Sequence, residues 1–147
     1  MSQTLCANVT IDNIGELTPH VMEMLDDWKL NTEQIMVLLG LVGKIRSRQL
    51  QKYRHDRNAF PFDSSIAQRI DHLVGISDAL RTTFPFSEQM RILWLRKPHR
   101  RFRKISPLKV MLDEGISGLM RVRIEVDCAY GWAISEALAQ QQKNTSA

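Results

Sequence analysis

The sequence has little of the features that usually reveal a protein's chemistry. It holds two cysteines, Cys6 and Cys128, and their wide separation predicts neither a zinc site nor a disulfide framework. It has no Gly-rich phosphate loop and no G-x-S-x-G nucleophile motif, and its four histidines share no metal-ligand spacing. We therefore expect a protein that is not an enzyme and that needs no metal and no cofactor.

Long apolar runs are also missing. No stretch approaches the ~20 apolar residues that a membrane span requires, and the N-terminus lacks the positive start and apolar core of a secretory signal. The 147 residues are 44% hydrophobic and 24% charged, which is the balance of a soluble globular protein. The sequence thus predicts a cytoplasmic protein with no membrane contact.

Three segments of the chain, here called windows, each lack charged residues of one sign. No Lys or Arg precedes Lys29, and no acidic residue occurs between Glu33 and Asp56 or between Glu88 and Asp113. Because the net charge is only +4, the total does not demand a polyanionic partner, so the distribution of the charges matters more. The two windows without acidic residues are the candidate contact surfaces.

Apolar spacing and capping residues predict helices along most of the chain. The expected helix starts are Thr18 with Pro19, Asn31 with Gln34, Ser47, Asp63, Ser87, and Ser106 with Pro107. The segment from Met120 to Cys128 alternates apolar and charged residues, as a half-buried strand does. It also fits a helical period over a longer span, and no partner strand is nearby, so we favour a helix and keep a strand as the alternative. The expected fold class is an all-α helical bundle.

The ends of the chain and one internal helix carry further expectations. Residues 1–16 show no strong period and are predicted to form a flexible arm, while the polar residues 141–147 are predicted to form a frayed tail. In the segment "MRILWL", we expect Met90, Leu93 and Trp94 to face the core. Ile92 and Leu95 then point away from it, which predicts a homodimer.

A short helix, a Gly-containing turn and a second basic helix follow one another between residues 32 and 56. In "SRQLQKYRHD" only Leu50 and Tyr53 are evident inward anchors, so the other side chains face water or a partner. This is the composition of a helix-turn-helix, whose second helix enters the major groove of DNA. A solvated surface helix is the alternative. The candidate DNA contacts are Lys44, Arg46, Arg48, Lys52 and Arg54 for phosphates, and Gln49 and Gln51 for base edges.

Five segments in order resemble a known family. "DDWKLNTEQIMVLLGL", "FDSSIAQRIDHLVGISDALRTTF", "WLRKPHRRF", "SPLKVMLDEGISGL" and "YGW" are similar to the Xre/MbcA/ParS antitoxins, over residues 28 to 131. The resemblance implies an Xre-like helix-turn-helix domain at residues 17–86 and a helical toxin-binding domain at residues 87–140. It implies a homodimeric antitoxin that neutralises a RES-type toxin and represses its own operon by binding double-stranded DNA. A stand-alone helix-turn-helix regulator without a toxin is the alternative.

The second basic window, the segment without acidic residues between Glu88 and Asp113, contains a connector between two helices. The resemblance places this connector in the toxin-binding half. Its cations face either an acidic toxin surface or DNA phosphates beside the operator, and a solvated loop is the third possibility. Trp94 and Phe102 are expected to be core residues. The candidate cations of this connector are Arg96, Lys97, Arg100, Arg101, Arg103 and Lys104.

Overall fold

The structure is a computed structural model that describes residues 9–55 and 58–145, with side chains described as far as residue 128. The elements are α1 (Ile14–Asp27), α2 (Thr32–Leu39), a 3₁₀ turn (Ser47–Gln49), α3 (Leu50–His55), α4 (Ser64–Thr83), α5 (Glu88–Arg96), a second 3₁₀ turn (Arg100–Phe102) and α6 (Pro107–Thr145). The described residues contain no β-strand. The predicted all-α helical bundle is therefore confirmed.

Four helix starts lie where the capping residues predict them. The side chain of Asn31 accepts a hydrogen bond from the Gln34 amide at 2.8 Å, and the Gln34 side chain accepts one from the Asn31 amide at 3.0 Å, which completes a capping box. Asp63, Ser87 and Ser106 likewise accept from the amide three residues on, at 2.8, 3.1 and 3.2 Å. The local sequence alone therefore fixes where α2, α4, α5 and α6 begin.

The first helix begins earlier than predicted. α1 starts at Ile14, inside the expected arm, so Thr18 does not cap it. Thr18 is instead buried within the helix, where its hydroxyl donates to the Ile14 carbonyl at 2.7 Å and accepts from the Phe60 amide at 3.1 Å. Residues 1–8 of the predicted arm lie outside the described residues. Thr18 thus acts as a tertiary link between α1 and the segment before α4.

One continuous core joins the helices. α4 packs along α6, and α3 packs against α1. An apolar stripe at helical spacing on α1 and another on α4 face this core. The buried stripe residues are Val21, Met24, Leu25 and Trp28 on α1 and Ile66, Ile70, Leu73, Ile76 and Leu80 on α4.

The last helix is longer than expected. Gly115 has φ +65° and ψ −141°, a conformation that favours glycine, and it interrupts the helical backbone of α6. The helix then resumes and continues to Thr145. The segment from Met120 to Cys128 is therefore helical, so the strand alternative is wrong, and the tail predicted to fray from residue 141 is helical through Thr145.

The orientation of α5 differs from the prediction. Trp94 is buried as expected, but Leu95 is buried with it, while Met90 and Leu93 are exposed. Trp94 and Leu95 form the inward face of α5, whereas Met90 and Leu93, which were expected to face the core, face outward. The sequence argument that derived a homodimer from an outward Leu95 is therefore wrong.

Candidate functional site

The first basic window, the segment without acidic residues between Glu33 and Asp56, folds as a helix, a turn and a second helix. These elements are here called the α2–α3 unit (residues 32–55). Residues 40–46 and the first 3₁₀ turn separate α2 from α3, so the connection is longer than the 3–4 residues typical of this motif. α3 is only six residues long, and Leu50 and Tyr53 attach it to the core. Ser47 begins the 3₁₀ turn rather than an α-helix, which corrects its predicted role as the N-cap of a longer recognition helix.

Three of the seven predicted DNA contacts are occupied within the protein. Arg54 makes a forked ion pair with Asp26 of α1, with both N···O distances at 2.8 Å. Lys44 is ion-paired with Asp63 at the start of α4. The Gln49 side-chain oxygen accepts a hydrogen bond from the Arg46 amide at 2.7 Å. The prediction that these three side chains face a partner is therefore wrong: they hold the unit together and attach it to α1 and α4.

The other four predicted contacts remain on the surface. Arg46, Arg48, Gln51 and Lys52 are all exposed. Within the part of the chain that the structure describes, the side chains of Arg48, Gln51 and Lys52 form no hydrogen bond or ion pair. The α2–α3 unit therefore offers three cations and one amide to a partner.

The second basic window forms a closed loop, here called the basic connector (residues 96–104). The His99 amide donates to the Ile105 carbonyl at 3.2 Å, and the Lys104 amide donates to the His99 carbonyl at 2.9 Å. The His99 ring packs on Trp94 with 4.9 Å between the ring centroids, and Phe102 is buried in the core. These contacts fix the loop backbone, so its cations are presented on an ordered segment.

Most cations of the basic connector are free. Arg96 is the exception: its guanidinium donates to the Trp28 carbonyl at 3.1 Å and the Lys29 carbonyl at 2.7 Å, so its predicted role as a partner contact is wrong. Arg101 lies 4.0 Å from a Glu125 carboxylate oxygen, with most of its side chain exposed. The exposed cations of the connector whose side chains form no hydrogen bond or ion pair within the described residues are Lys97, Arg100, Arg103 and Lys104.

An apolar stripe lies on the outer face of α5 and just before it, here called the α5 stripe (Phe86, Met90 and Leu93). The exposed fractions are 99% for Phe86, 44% for Met90 and 51% for Leu93. Met90 and Leu93 are three residues apart and share one face of the helix, and Phe86 directly precedes the N-cap Ser87. Lys97, the first free cation of the basic connector, is one turn further along that face. Sequence reasoning missed this stripe because it assigned Met90 and Leu93 to the core.

A polar cluster joins α4 to α6. Arg123 donates toward Asp71 at 3.4 Å and lies 3.3 Å from Nδ1 of His72. Burial, and secondarily the Arg123 charge, lowers the pKa of His72. The guanidinium passes so close to Gly75 that a Cβ there would lie 2.5 Å from it. The cluster is best explained as a structural link between the two longest helices.

The described residues provide neither a cluster of metal ligands nor a membrane-spanning helix. Among the side chains that the structure describes, those of residues 9–55 and 58–128, no group of three or more His, Cys, Asp or Glu is placed to hold a metal ion. In the same residues, no helix combines the length and apolar character required to cross a bilayer.

Comparison with known proteins adds no relative. No family model, no curated protein and no solved structure matches this chain. The resemblance to Xre/MbcA/ParS antitoxins therefore remains a hypothesis, and the support for any function comes from the α2–α3 unit, the basic connector and the α5 stripe.

Proposed function

We propose that the protein is the antitoxin of a type II toxin-antitoxin system, acting as a homodimer in the cytoplasm. In this proposal the α2–α3 unit binds operator DNA and represses the operon, and the C-terminal half neutralises a RES-type toxin by direct contact. The observation that carries the proposal is the presence of two chemically different exposed surfaces on one small bundle: free cations on the α2–α3 unit and apolar side chains on α5.

The free side chains of the α2–α3 unit suit DNA. Arg48 and Lys52 are four residues apart and unpaired within the described residues, so both are available to phosphate oxygens. Gln51 lies between them and can form a bidentate pair with an adenine edge. Because α3 is short, sequence reading by this unit rests on few side chains, and phosphate contacts supply a large share of its affinity.

The α5 stripe suits a protein. Fully exposed aromatic side chains are rare on monomeric proteins, and apolar residues aligned on one helix face usually mark an interaction site. Phe86 is the natural anchor of such a site because it is almost completely exposed and can be buried in one pocket of a partner. Phosphate groups gain nothing from these side chains, so the stripe supports a protein partner.

Co-expression with a toxin tests the proposal. The proposal requires a RES-type toxin gene beside this one, and its product, expressed in a host whose growth it arrests, is the probe. The wild-type protein should restore growth, and the double variant Phe86→Ser and Leu93→Ser should fail to do so. Ile124→Ser is the matched control because Ile124 is an exposed apolar residue on a different helix. Growth arrest in the presence of the wild-type protein contradicts the antitoxin proposal.

A stand-alone transcriptional regulator is the second candidate. It is favoured by the free cations, which need only DNA as a partner. An operon without a toxin-like reading frame, together with sequence-specific DNA binding by the purified protein, supports this candidate over the first.

The homodimer is a separate part of the proposal. It rests on the resemblance, since Leu95 is buried and no longer argues for it. Light scattering at micromolar concentration should give twice the 17.0 kDa mass of one chain. A monomer mass contradicts the homodimer, but it does not bear on the proposed roles of the α2–α3 unit and the α5 stripe.

A further inference from the structure

The α2–α3 unit and the basic connector are both attached to the C-terminal end of α1. Arg54, near the end of α3, holds the Asp26 carboxylate, and Arg96, at the end of α5, holds the Trp28 and Lys29 carbonyls. Asp26 lies in the last turn of α1, Trp28 is the C-cap of that helix and Lys29 follows directly, so the two attachments lie on neighbouring residues at the C-terminal end of α1. Arg54 and Arg96 are far apart in the sequence, but both attach to the C-terminal end of α1.

The two basic segments that meet at the end of α1 carry an excess of positive charge, although Asp27 of α1 lies between their attachment points. The α2–α3 unit contributes Arg46, Arg48 and Lys52, and neither window contains an acidic residue. Asp26 is already neutralised by Arg54. The connector adds four exposed cations without a carboxylate partner among the described residues, namely Lys97, Arg100, Arg103 and Lys104. Like charges held close together raise one another's energy, and a polyanion relieves that repulsion.

The α2–α3 unit alone has few cations for a DNA-binding protein. Proteins that bind DNA with high affinity neutralise on the order of 6–10 phosphates. The unit has three free cations, because the structure uses Lys44 and Arg54 internally. Adding the four free cations of the connector brings the available charge into that range.

The connector is also ready to bind without rearrangement. The hydrogen bonds that join His99 to Lys104 and Ile105 close the loop, and buried Phe102 anchors it. Arg103 and Lys104 have φ of +55° and +65°, a conformation that turns the chain sharply at the point where the two cations project. Because the backbone is already ordered, binding loses mainly side-chain entropy.

We propose that the basic connector binds phosphates of the same DNA duplex that the α2–α3 unit contacts. The connector thus extends the DNA footprint beyond the helix-turn-helix, onto the half of the chain that the resemblance assigns to toxin binding. This inference rests on the proposed DNA binding. It removes the connector from the toxin surface, which leaves the α5 stripe as the toxin contact.

Salt dependence of binding to a mixed-sequence duplex of about 30 base pairs tests the proposal without knowledge of the operator. The dissociation constant of the full-length protein is measured by fluorescence anisotropy at several salt concentrations. Each phosphate contact contributes about 0.9 to the slope of log affinity against log salt. The triple variant Arg100→Gln, Arg103→Gln and Lys104→Gln should therefore lower the slope by about 2.7, and Arg100→Gln alone by about 0.9.

Two controls accompany these variants. The triple variant Arg100→Lys, Arg103→Lys and Lys104→Arg keeps every charge and should retain the wild-type slope. Lys52→Gln removes one cation of the α2–α3 unit and should lower the slope by about 0.9. Circular-dichroism melts show whether each variant is folded, and the single Arg100→Gln variant keeps the test decisive if the triple variant is not.

The possible results separate the two proposals. No binding by the wild-type protein overturns the proposed DNA function, and the inference with it. A wild-type slope in both glutamine variants, with a reduced slope in Lys52→Gln, overturns only the inference. If the triple glutamine variant keeps the wild-type slope but no longer protects cells from the toxin, the connector meets an acidic toxin surface and the inference is again overturned.

Discussion

The sequence and the structure predict different effects for the replacement of Arg54. Sequence reasoning makes it a phosphate contact, whereas the structure pairs it with Asp26 through two 2.8 Å hydrogen bonds and leaves it mostly covered. Replacing it by Gln should therefore affect stability rather than DNA binding. The pair is forked but half-exposed on the Asp26 side, so we expect a loss of about 1 kcal/mol of unfolding free energy, at the upper end for surface ion pairs.

The measurement is urea denaturation of the wild-type protein, Arg54→Gln, Asp26→Asn and the double variant. The double-mutant cycle should give a coupling energy of about 0.5–1 kcal/mol. The slope of DNA affinity against salt should stay at the wild-type value in Arg54→Gln, whereas Lys52→Gln should lower it with little effect on stability. A slope lowered by about 0.9 in Arg54→Gln, with no coupling to Asp26, refutes this reasoning.

Three further substitutions test the structural links. Thr18→Val keeps the shape of the side chain but leaves the buried Phe60 amide without an acceptor, so urea denaturation should show a loss of roughly 1–3 kcal/mol, with Thr18→Ser as the milder control. Gly115→Ala forces a side chain into a conformation with φ +65° and should lose about 1–3 kcal/mol in the same measurement, while an unchanged midpoint shows that the interruption of α6 carries no strain. The pKa of His72 is lowered in the folded protein, so the unfolded chain binds the proton more readily and the stability should fall as the pH drops below about 6.5. The variant His72→Gln should show a weaker dependence of stability on pH. Identical pH profiles of the wild-type protein and the variant contradict the assignment.

Local features of the fold were predictable from the sequence. The capping residues of α2, α4, α5 and α6 form hydrogen bonds within three residues, so their effect depends on adjacent sequence alone. The long stripe of α4 was equally clear because five residues repeat at helical spacing. The helical state of residues 120–128 followed from the absence of a partner strand, a topological argument that the structure confirms.

The errors arose where distant residues decide the outcome. Nothing near Arg54 or Arg96 in the sequence indicates that their partners lie on α1, 28 and 67 or 68 residues away. On α5, Met90 and Leu93 have the same spacing as a core stripe, and only the packing around Trp94 and Leu95 settles which side is inside. The start of α1 was missed because Thr18 and Pro19 imitate a capping sequence, although Thr18 uses its hydroxyl to bind a carbonyl four residues earlier and the Phe60 amide.

The arrangement of the surfaces has a consequence for regulation. Sequence reasoning treats toxin binding and DNA binding as independent, but Leu93 of the α5 stripe is only one helical turn before Lys97 of the basic connector. If both proposals hold, a toxin seated on the stripe lies beside DNA held by the connector, and we expect the two ligands to influence each other through steric overlap or favourable contact. Because such coupling is reciprocal, a factor by which toxin changes DNA affinity equals the factor by which DNA changes toxin affinity.

This coupling can be measured once the toxin is purified. Toxin is titrated into the protein–DNA complex, and the DNA dissociation constant is compared with that of the protein alone. We expect a change of about 5-fold or more, the lower end of typical coupling between sites. The change should shrink in a Lys97→Gln variant, since Lys97 is the connector cation next to the stripe. An unchanged DNA affinity at saturating toxin contradicts the proximity of the two bound partners and favours two independent surfaces.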